Sequence, residues 1–143
     1  MIYRRIDSQN DPDISYLDEI LNLPEFSRFI NVDKNNYCTY VTNTENVFYF
    51  KVFENDVLVA ATHCEISNRT LYMDIMVIPT YQRKGVATTI LNDVQSGTLL
   101  LDFDKIEVSI DKSNAASIKL FEKMNFKFVS VENELLNYAW QKI

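Results

Sequence analysis

Apolar positions along this chain change their period several times, and each change marks an element. "MIYRRI" interleaves Ile2, Tyr3 and Ile6 with Arg4 and Arg5 and predicts a first strand. "DPDISYLDEILNL" then opens on Asp and Pro, a helix-start signal, and sets Ile14, Leu17, Ile20 and Leu21 at helical spacing. Pro24 breaks that helix, and "PEFSRFINV" predicts a second, shorter one. Within the polar stretch from Asp33 to Asn46, "YCTYV" reads either as a strand or as an ordered loop.

"NVFYFKVF" and "VLVAATHCEI" are β-branched and aromatic runs separated by Asn and Asp, the pattern of a hairpin. "LYMDIMVI" follows the polar "SNRT", giving three consecutive antiparallel strands. From Gly85 the period lengthens. Val86, Ile90 and Val94 share a face with Ala87 and Leu91 beside them, so a helix runs to Gly97, a natural C-cap. "KIEVSI" predicts a strand and "NAASIKLFEKM" a helix, ended by Asn125 in the left-handed conformation that Asn tolerates. "FKFVSV" and "LLNYAWQKI" are two strands joined by "ENE". The order β-α-α-β-β-β-α-β-α-β-β predicts a mixed α/β sheet in one layer with helices packed on it. No repeat, low-complexity tract or linker divides the chain, so residues 1–143 are read as a single domain.

Composition narrows the partners. Hydrophobic residues make up 47 % of the chain and aromatics 13 %, enough for a sizeable core. A net charge of −6 disfavours a nonspecific grip on nucleic acid or on anionic lipid and suits a cationic partner better. No apolar run is long enough for a membrane span. Cys38 and Cys64 form no paired motif and no signal-like segment follows the N-terminus, so a reduced, cytoplasmic setting is expected. One histidine, His63, and no clustered thiols argue against a metal site.

The candidate chemistry lies in "PTYQRKGVATTIL". A basic, Gly-containing loop that opens a helix presents unpaired N–H groups and the positive end of the helix dipole, an anion site suited to phosphate. Gly85 lets the backbone come close, and Arg83 and Lys84 add charge. A polar loop that merely caps a helix would look the same. It is not a Walker loop, since the second Gly and the Lys-Ser/Thr pair are missing.

"LYMDIMVIPTYQRKGVATTIL" resembles the acyl-CoA-binding motif of the GNAT acetyltransferase superfamily, a strand ending in Val-x-Pro followed by Gln/Arg-x-x-Gly-x-Gly/Ala at a helix start. Val77 and Pro79 match the strand end, and Gln82, Arg83, Lys84, Gly85, Val86 and Ala87 match the loop. "NAASIKLFEKMNFKFVS" is similar to the family's second signature through Asn114, Ala115, Leu120, Glu122, Lys123 and Phe126. The resemblance covers essentially the whole chain. It implies a mostly antiparallel central sheet with helices on both faces, and acetyl transfer from acetyl-CoA to a primary amine by direct attack. It also implies that the pyrophosphate lies on the amides from Arg83 to Thr88 and that the pantetheine runs beside Ile75, Met76 and Val77. A backbone N–H at Met76 or Val77 would polarise the thioester carbonyl. Asn114, Ser117 and Phe121 would line the other side of the cofactor.

Departures from the family pattern bear on the chemistry. Phe121 stands where members often carry the tyrosine that protonates the leaving thiolate, so another acid, water, or unassisted departure must serve. Ala87, Ala60 and Asn125 replace frequent glycines with small or conformationally tolerant residues. Asp74, beside the expected thioester, is the first candidate for a general base; it also reads as a structural or solvent-facing carboxylate. His63 and Glu65 alternate with Cys64 and so face one side of their strand. Tyr72, Tyr81 and Tyr138 are further sources of a hydroxyl. Cys38 and Cys64 need no nucleophilic role, since the thioester transfers directly. In "SYLDEILNLPEFSRFI", Asp18, Glu19 and Glu25 are placed to attract a cationic acceptor, or form a solvated helix face. The acceptor, a small amine or a peptide or protein amine, is left open by the sequence. Two rivals stand beside the enzyme: a non-catalytic acyl-CoA-binding module on the same fold, and a structural α/β domain without a nucleotide ligand. The last two strands are apolar enough to form the edge of a homodimer.

Overall fold

Three glycine-free turns fold the chain back on itself. Asn55 and Asp56 have φ of 51° and 64°, Asn68 and Arg69 50° and 62°, and Asn133 and Glu134 47° and 72°. Two consecutive left-handed residues make the two-residue turn whose twist matches that of paired strands. Asn enters this region at little cost, and the bulkier second residues are held from outside. The carbonyl of Arg69 accepts the Asp104 N–H at 2.7 Å, and that of Glu134 accepts the Lys112 N–H at 3.0 Å. The guanidinium of Arg69 also forks across Asp102 and Asp104 at 2.8–3.1 Å.

The computed structural model describes residues 1–24, 40 and 42–143. Its elements are β1 (Ile2–Arg5), α1 (Ile14–Leu21), β2 (Val47–Glu54), β3 (Val57–Ser67), β4 (Thr70–Val77), a 3-10 turn (Pro79–Tyr81), α2 (Val86–Gln95), β5 (Lys105–Asp111), α3 (Ala115–Lys123), β6 (Lys127–Glu132) and β7 (Leu135–Gln141). Of the expected helix "PEFSRFINV" only Pro24 is described, and Glu25 and Cys38 lie outside the described residues. Of "YCTYV" only Tyr40 is described, with helical backbone.

One seven-stranded sheet in the order β1-β2-β3-β4-β5-β7-β6 carries the molecule. Every neighbouring pair is antiparallel except β4 and β5, which α2 connects as a crossover. Side-chain alternation splits the apolar residues between the two faces. On one face Cys64, Leu71, Met73, Ile106 and Val108 pack against Val86, Ile90 and Leu91 of α2 and Phe121 of α3. On the other, Val47, Tyr49, Ala61 and Met76 pack against Leu17 and Ile20 of α1. Helices on both faces agree with the expected architecture.

Two element ends differ from the sequence reading. The helix predicted from Asp11 begins only at Ile14. Lys51 of β2 holds Asp11 at 2.9 Å and Asp13 at 2.8 Å, so these residues clamp the chain to the sheet before the first helical turn. The strand expected from Phe126 begins at Lys127, because the Phe126 ring turns into the core against Phe121 with centroids 5.0 Å apart. Gly97 at φ 85° and Asn125 at φ 71° close α2 and α3 as their sequence positions predict.

Candidate active site

β4 and β5 are paired only from Thr70–Lys105 to Tyr72–Glu107. Beyond that point β4 continues to Val77 beside β3, and β5 continues to Asp111 beside β7, so the sheet forks. The N–H of Ile78 donates to Val59 on β3 at 2.9 Å, which fixes the alternation of main-chain groups along β4. Met76 and Asp74 therefore turn their N–H and C=O toward β3, whereas Ile75 and Val77 turn theirs into the fork. The Val77 carbonyl, which accepts the Gln82 side-chain amide at 3.1 Å, points the same way. Of the two residues expected to offer an N–H to a carbonyl oxygen, Val77 alone has one facing the fork. Met76 has its main chain bonded to β3 and its side chain buried under α1.

The loop after β4 turns on Arg83 at φ 62° and Gly85 at φ 81°. The first main-chain bond of α2 runs from the Thr89 N–H to the Gly85 carbonyl at 3.0 Å, and no side chain caps the helix. The N–H groups of Val86, Ala87 and Thr88 are thus left for an external acceptor. A Cβ at Gly85 would meet nothing within 4 Å, so open space lies beside the glycine at this helix start. Arg83 and Lys84 are exposed beside it, with the Lys84 ammonium 5.9 Å from the centre of the Tyr81 ring. Loop, dipole and open space together fit a phosphate-bearing ligand.

α3 follows the end of β5, the other arm of the fork. Asn114 caps it by accepting the Ser117 N–H at 3.3 Å, and both residues are half-buried. Phe121 is a core residue, edge-on to Phe126, and carries no hydroxyl toward the site. Nor does Tyr138 have a free one, since it donates to Glu122 at 3.0 Å.

On the α1 side of the sheet, Tyr49, His63 and Asp74 fall in register across β2, β3 and β4. His63 Nε2 lies 2.8 Å from Glu65, and its ring is edge-on to Tyr49 at 6.3 Å. The Tyr40 hydroxyl also donates to Glu65, a contact that nothing in the local sequence signals. Asp74 is exposed on this face, with protein packed around it. Desolvation pushes its pKa above the usual carboxylate range; His63 opposes the shift and Glu65 adds to it. Tyr72, 45 % exposed, marks the last pair before the fork on the same face. Asp18 is half-buried and Glu19 exposed on α1. Cys64 is buried on the opposite face, where burial pushes its thiol up to about 12, outside the range of a reactive thiolate. Among the described residues no group of three metal-ligating side chains occurs, and no helix is long and apolar enough to cross a membrane.

Comparisons with known proteins agree with this layout. No curated protein matches the sequence. Among solved structures, a domain from Methanocaldococcus jannaschii DSM 2661 superposes with a TM-score of 0.80 at 19 % identity, covering 98 % of this chain and 97 % of that one. Spermidine N-acetyltransferase from Vibrio cholerae, in complex with CoA and spermine, gives 0.80 at 15 % identity over 99 % and 95 %. The Campylobacter jejuni N-acetyltransferase PseH, in complex with acetyl coenzyme A, gives 0.73 at 14 % identity over 99 % and 100 %. The acetyltransferase (GNAT) family matches residues 14–126, and the chain belongs to that family.

Proposed function

We propose that this protein transfers an acetyl group from acetyl-CoA to a primary amine, with the two substrates meeting in the fork between β4 and β5. The observation that carries this reading is the fork itself. Val77 ends β4 at the fork, three residues beyond Asp74 and ahead of the loop that opens α2, which supports the reading. Acetyl-CoA supplies an activated thioester, so the chain has only to bind, orient and manage charge. The amides at Val86, Ala87 and Thr88, with Arg83, Lys84 and Gly85, hold the pyrophosphate. Ile75 and Val77 offer main-chain groups to the pantetheine, and the Val77 N–H donates to the carbonyl oxygen as it gains charge. Gln82 holds the loop to β4 by occupying the Val77 carbonyl. Asn114, Ser117 and Phe121 form the wall opposite.

The amine arrives on the α1 side, where Asp74 lies. A carboxylate whose pKa is raised by desolvation is a stronger base than an ordinary one and takes the proton of the ammonium. The amine nitrogen then bonds to the carbonyl carbon and releases its second proton to solvent, the C–S bond breaks, and coenzyme A leaves as the thiolate. With Phe121 in place of a tyrosine and the Tyr138 hydroxyl bound to Glu122, solvent returns the proton to sulfur. The exposed and half-buried carboxylates on the α1 side of the sheet, Asp18, Glu19 and Asp74, favour a cationic acceptor such as a polyamine over an anionic one.

Release of free thiol from acetyl-CoA, measured with polyamines, amino acids and peptide N-termini, tests the reading. Turnover should rise with pH through the Asp74 titration, and Asp74→Asn should lower it and remove that limb. Coenzyme A binding without turnover on any amine would favour the non-catalytic module instead. An unchanged pH profile in Asp74→Asn would remove Asp74 from the role of base.

A further inference from the structure

β6 is an edge of the sheet, paired to β7 on one side only, and it is unusually bare for an edge. Phe128, Val129 and Val131 are 55 %, 61 % and 58 % exposed. An open apolar edge is a template for another strand unless something blocks it. The other edge is blocked, since β1 ends in two consecutive arginines stacked on Phe53 and Phe48, which a two-fold pairing would bring together as four like charges.

The register of β6 shows what it can pair with. Lys127 lies opposite Ala139, Phe128 opposite Tyr138, Ser130 opposite Asn137, Val131 opposite Leu136 and Glu132 opposite Leu135, while Val129 is extra. Lys127 and Glu132 are five residues apart and would face opposite ways in a regular strand. The bulge at Val129 brings them to the same face, with Ser130 between them, and sets Phe128 and Val131 together on the other. The strand thereby reads the same from both ends about Ser130. Laid antiparallel on a second β6, Lys127 meets Glu132, Phe128 meets Val131, and Ser130 meets Ser130. Among the described residues Lys127 and Glu132 make no ion pair.

We infer that two copies of this chain join through β6 about a two-fold axis at Ser130, continuing the sheet across the dimer. The bulge, often a device that spoils an edge, is here what makes the edge self-complementary in charge and shape. Apolar contact on one face and two opposite-charge pairs on the other commit the strand to its own copy.

Analytical ultracentrifugation of the full chain over a concentration series tests this. The wild type should sediment as a dimer. Lys127→Glu and Glu132→Lys should each set like charges opposite one another twice and weaken the dimer about tenfold or more, while the double reversal restores it. With Cys38 replaced by Ser, Ser130→Cys should form a disulfide-linked dimer on oxidation, because opposed Cα atoms about 5 Å apart suit a disulfide. A wild type that stays monomeric throughout would overturn the inference, as would a dimer that survives both single reversals or a double reversal as weak as either. Thermal unfolding of each variant checks that the substitutions at the exposed Lys127 and Glu132 and the half-buried Ser130 leave the fold in place.

Discussion

Gly85 separates the cost of a backbone conformation from the cost of a misplaced charge. Its φ of 81° lies in the left-handed region, and a Cβ there would touch nothing within 4 Å. Gly85→Ala therefore carries conformational strain of about 1–2 kcal/mol without a clash. For a chain of this size that lowers Tm by about 4 °C per kcal/mol. Gly85→Asp carries the same strain and adds a carboxylate before the amides of Val86, Ala87 and Thr88. At roughly 6 Å and an effective dielectric constant near 20, each phosphate charge is opposed by about 3 kcal/mol. That corresponds to about a hundredfold in Kd. Isothermal titration with coenzyme A, which binds without transferring an acetyl group, should show Gly85→Ala modestly weakened and Gly85→Asp nearly silent. Added salt should narrow the gap. If Gly85→Asp is folded by circular dichroism and binds coenzyme A as tightly as Gly85→Ala, these amides do not face the pyrophosphate and the placement of the cofactor is wrong.

Two further substitutions probe the frame. Lys51→Met strands Asp11 and Asp13, which are 13 % and 35 % exposed, and should cost about 3 kcal/mol in urea unfolding at neutral pH. Desolvation lowers the Lys51 pKa, but the two aspartates more than reverse it. The clamp therefore holds in full below the ordinary lysine value and is lost as pH rises through the raised one, so wild type and variant should converge in strongly alkaline solution. Asn114→Ala removes the cap on α3 and should cost about 1 kcal/mol, seen as a lower Tm. Asn114→Asp should keep the wild-type Tm, because its carboxylate also accepts the Ser117 N–H; an equal loss in both would show that the cap is not what Asn114 contributes.

Local chemistry made most elements legible. The hairpins were readable because Asn stands at the first position of each turn, and α3 because Asn114 and Asn125 bound it. What depends on a distant partner was not readable. α1 is short because Lys51, 38 residues from Asp13, takes the residues that would have begun it. The identity of the main-chain donor in the fork rests on which neighbour β4 pairs with at Ile78, a tertiary fact, so Met76 and Val77 looked equivalent in sequence. The fork itself leaves no mark on β4 or β5, both of which read as ordinary apolar strands. By contrast, the pairing of His63 with Glu65 follows from simple alternation along β3.

Under the proposed reading, the contacts to the cofactor are made chiefly by main chain. Val77 contributes an N–H, and Val86, Ala87 and Thr88 contribute amides at a helix start. Two polar side chains of the matching motifs are occupied with structure, Gln82 on the Val77 carbonyl and Asn114 on the Ser117 N–H. A site of this kind demands a fork between two strands, a tight loop and a helix aimed into the gap, and it constrains few side chains outright. Gly85 is one of the few, because an L residue is strained at its φ. A fold that fixes its main-chain donors by topology can drift widely in sequence, in keeping with 14–19 % identity to structures that superpose over nearly the whole chain. Selectivity for the acceptor, which must be written in side chains, then falls to the other face of the sheet, where Asp74, His63, Glu65 and Tyr72 stand.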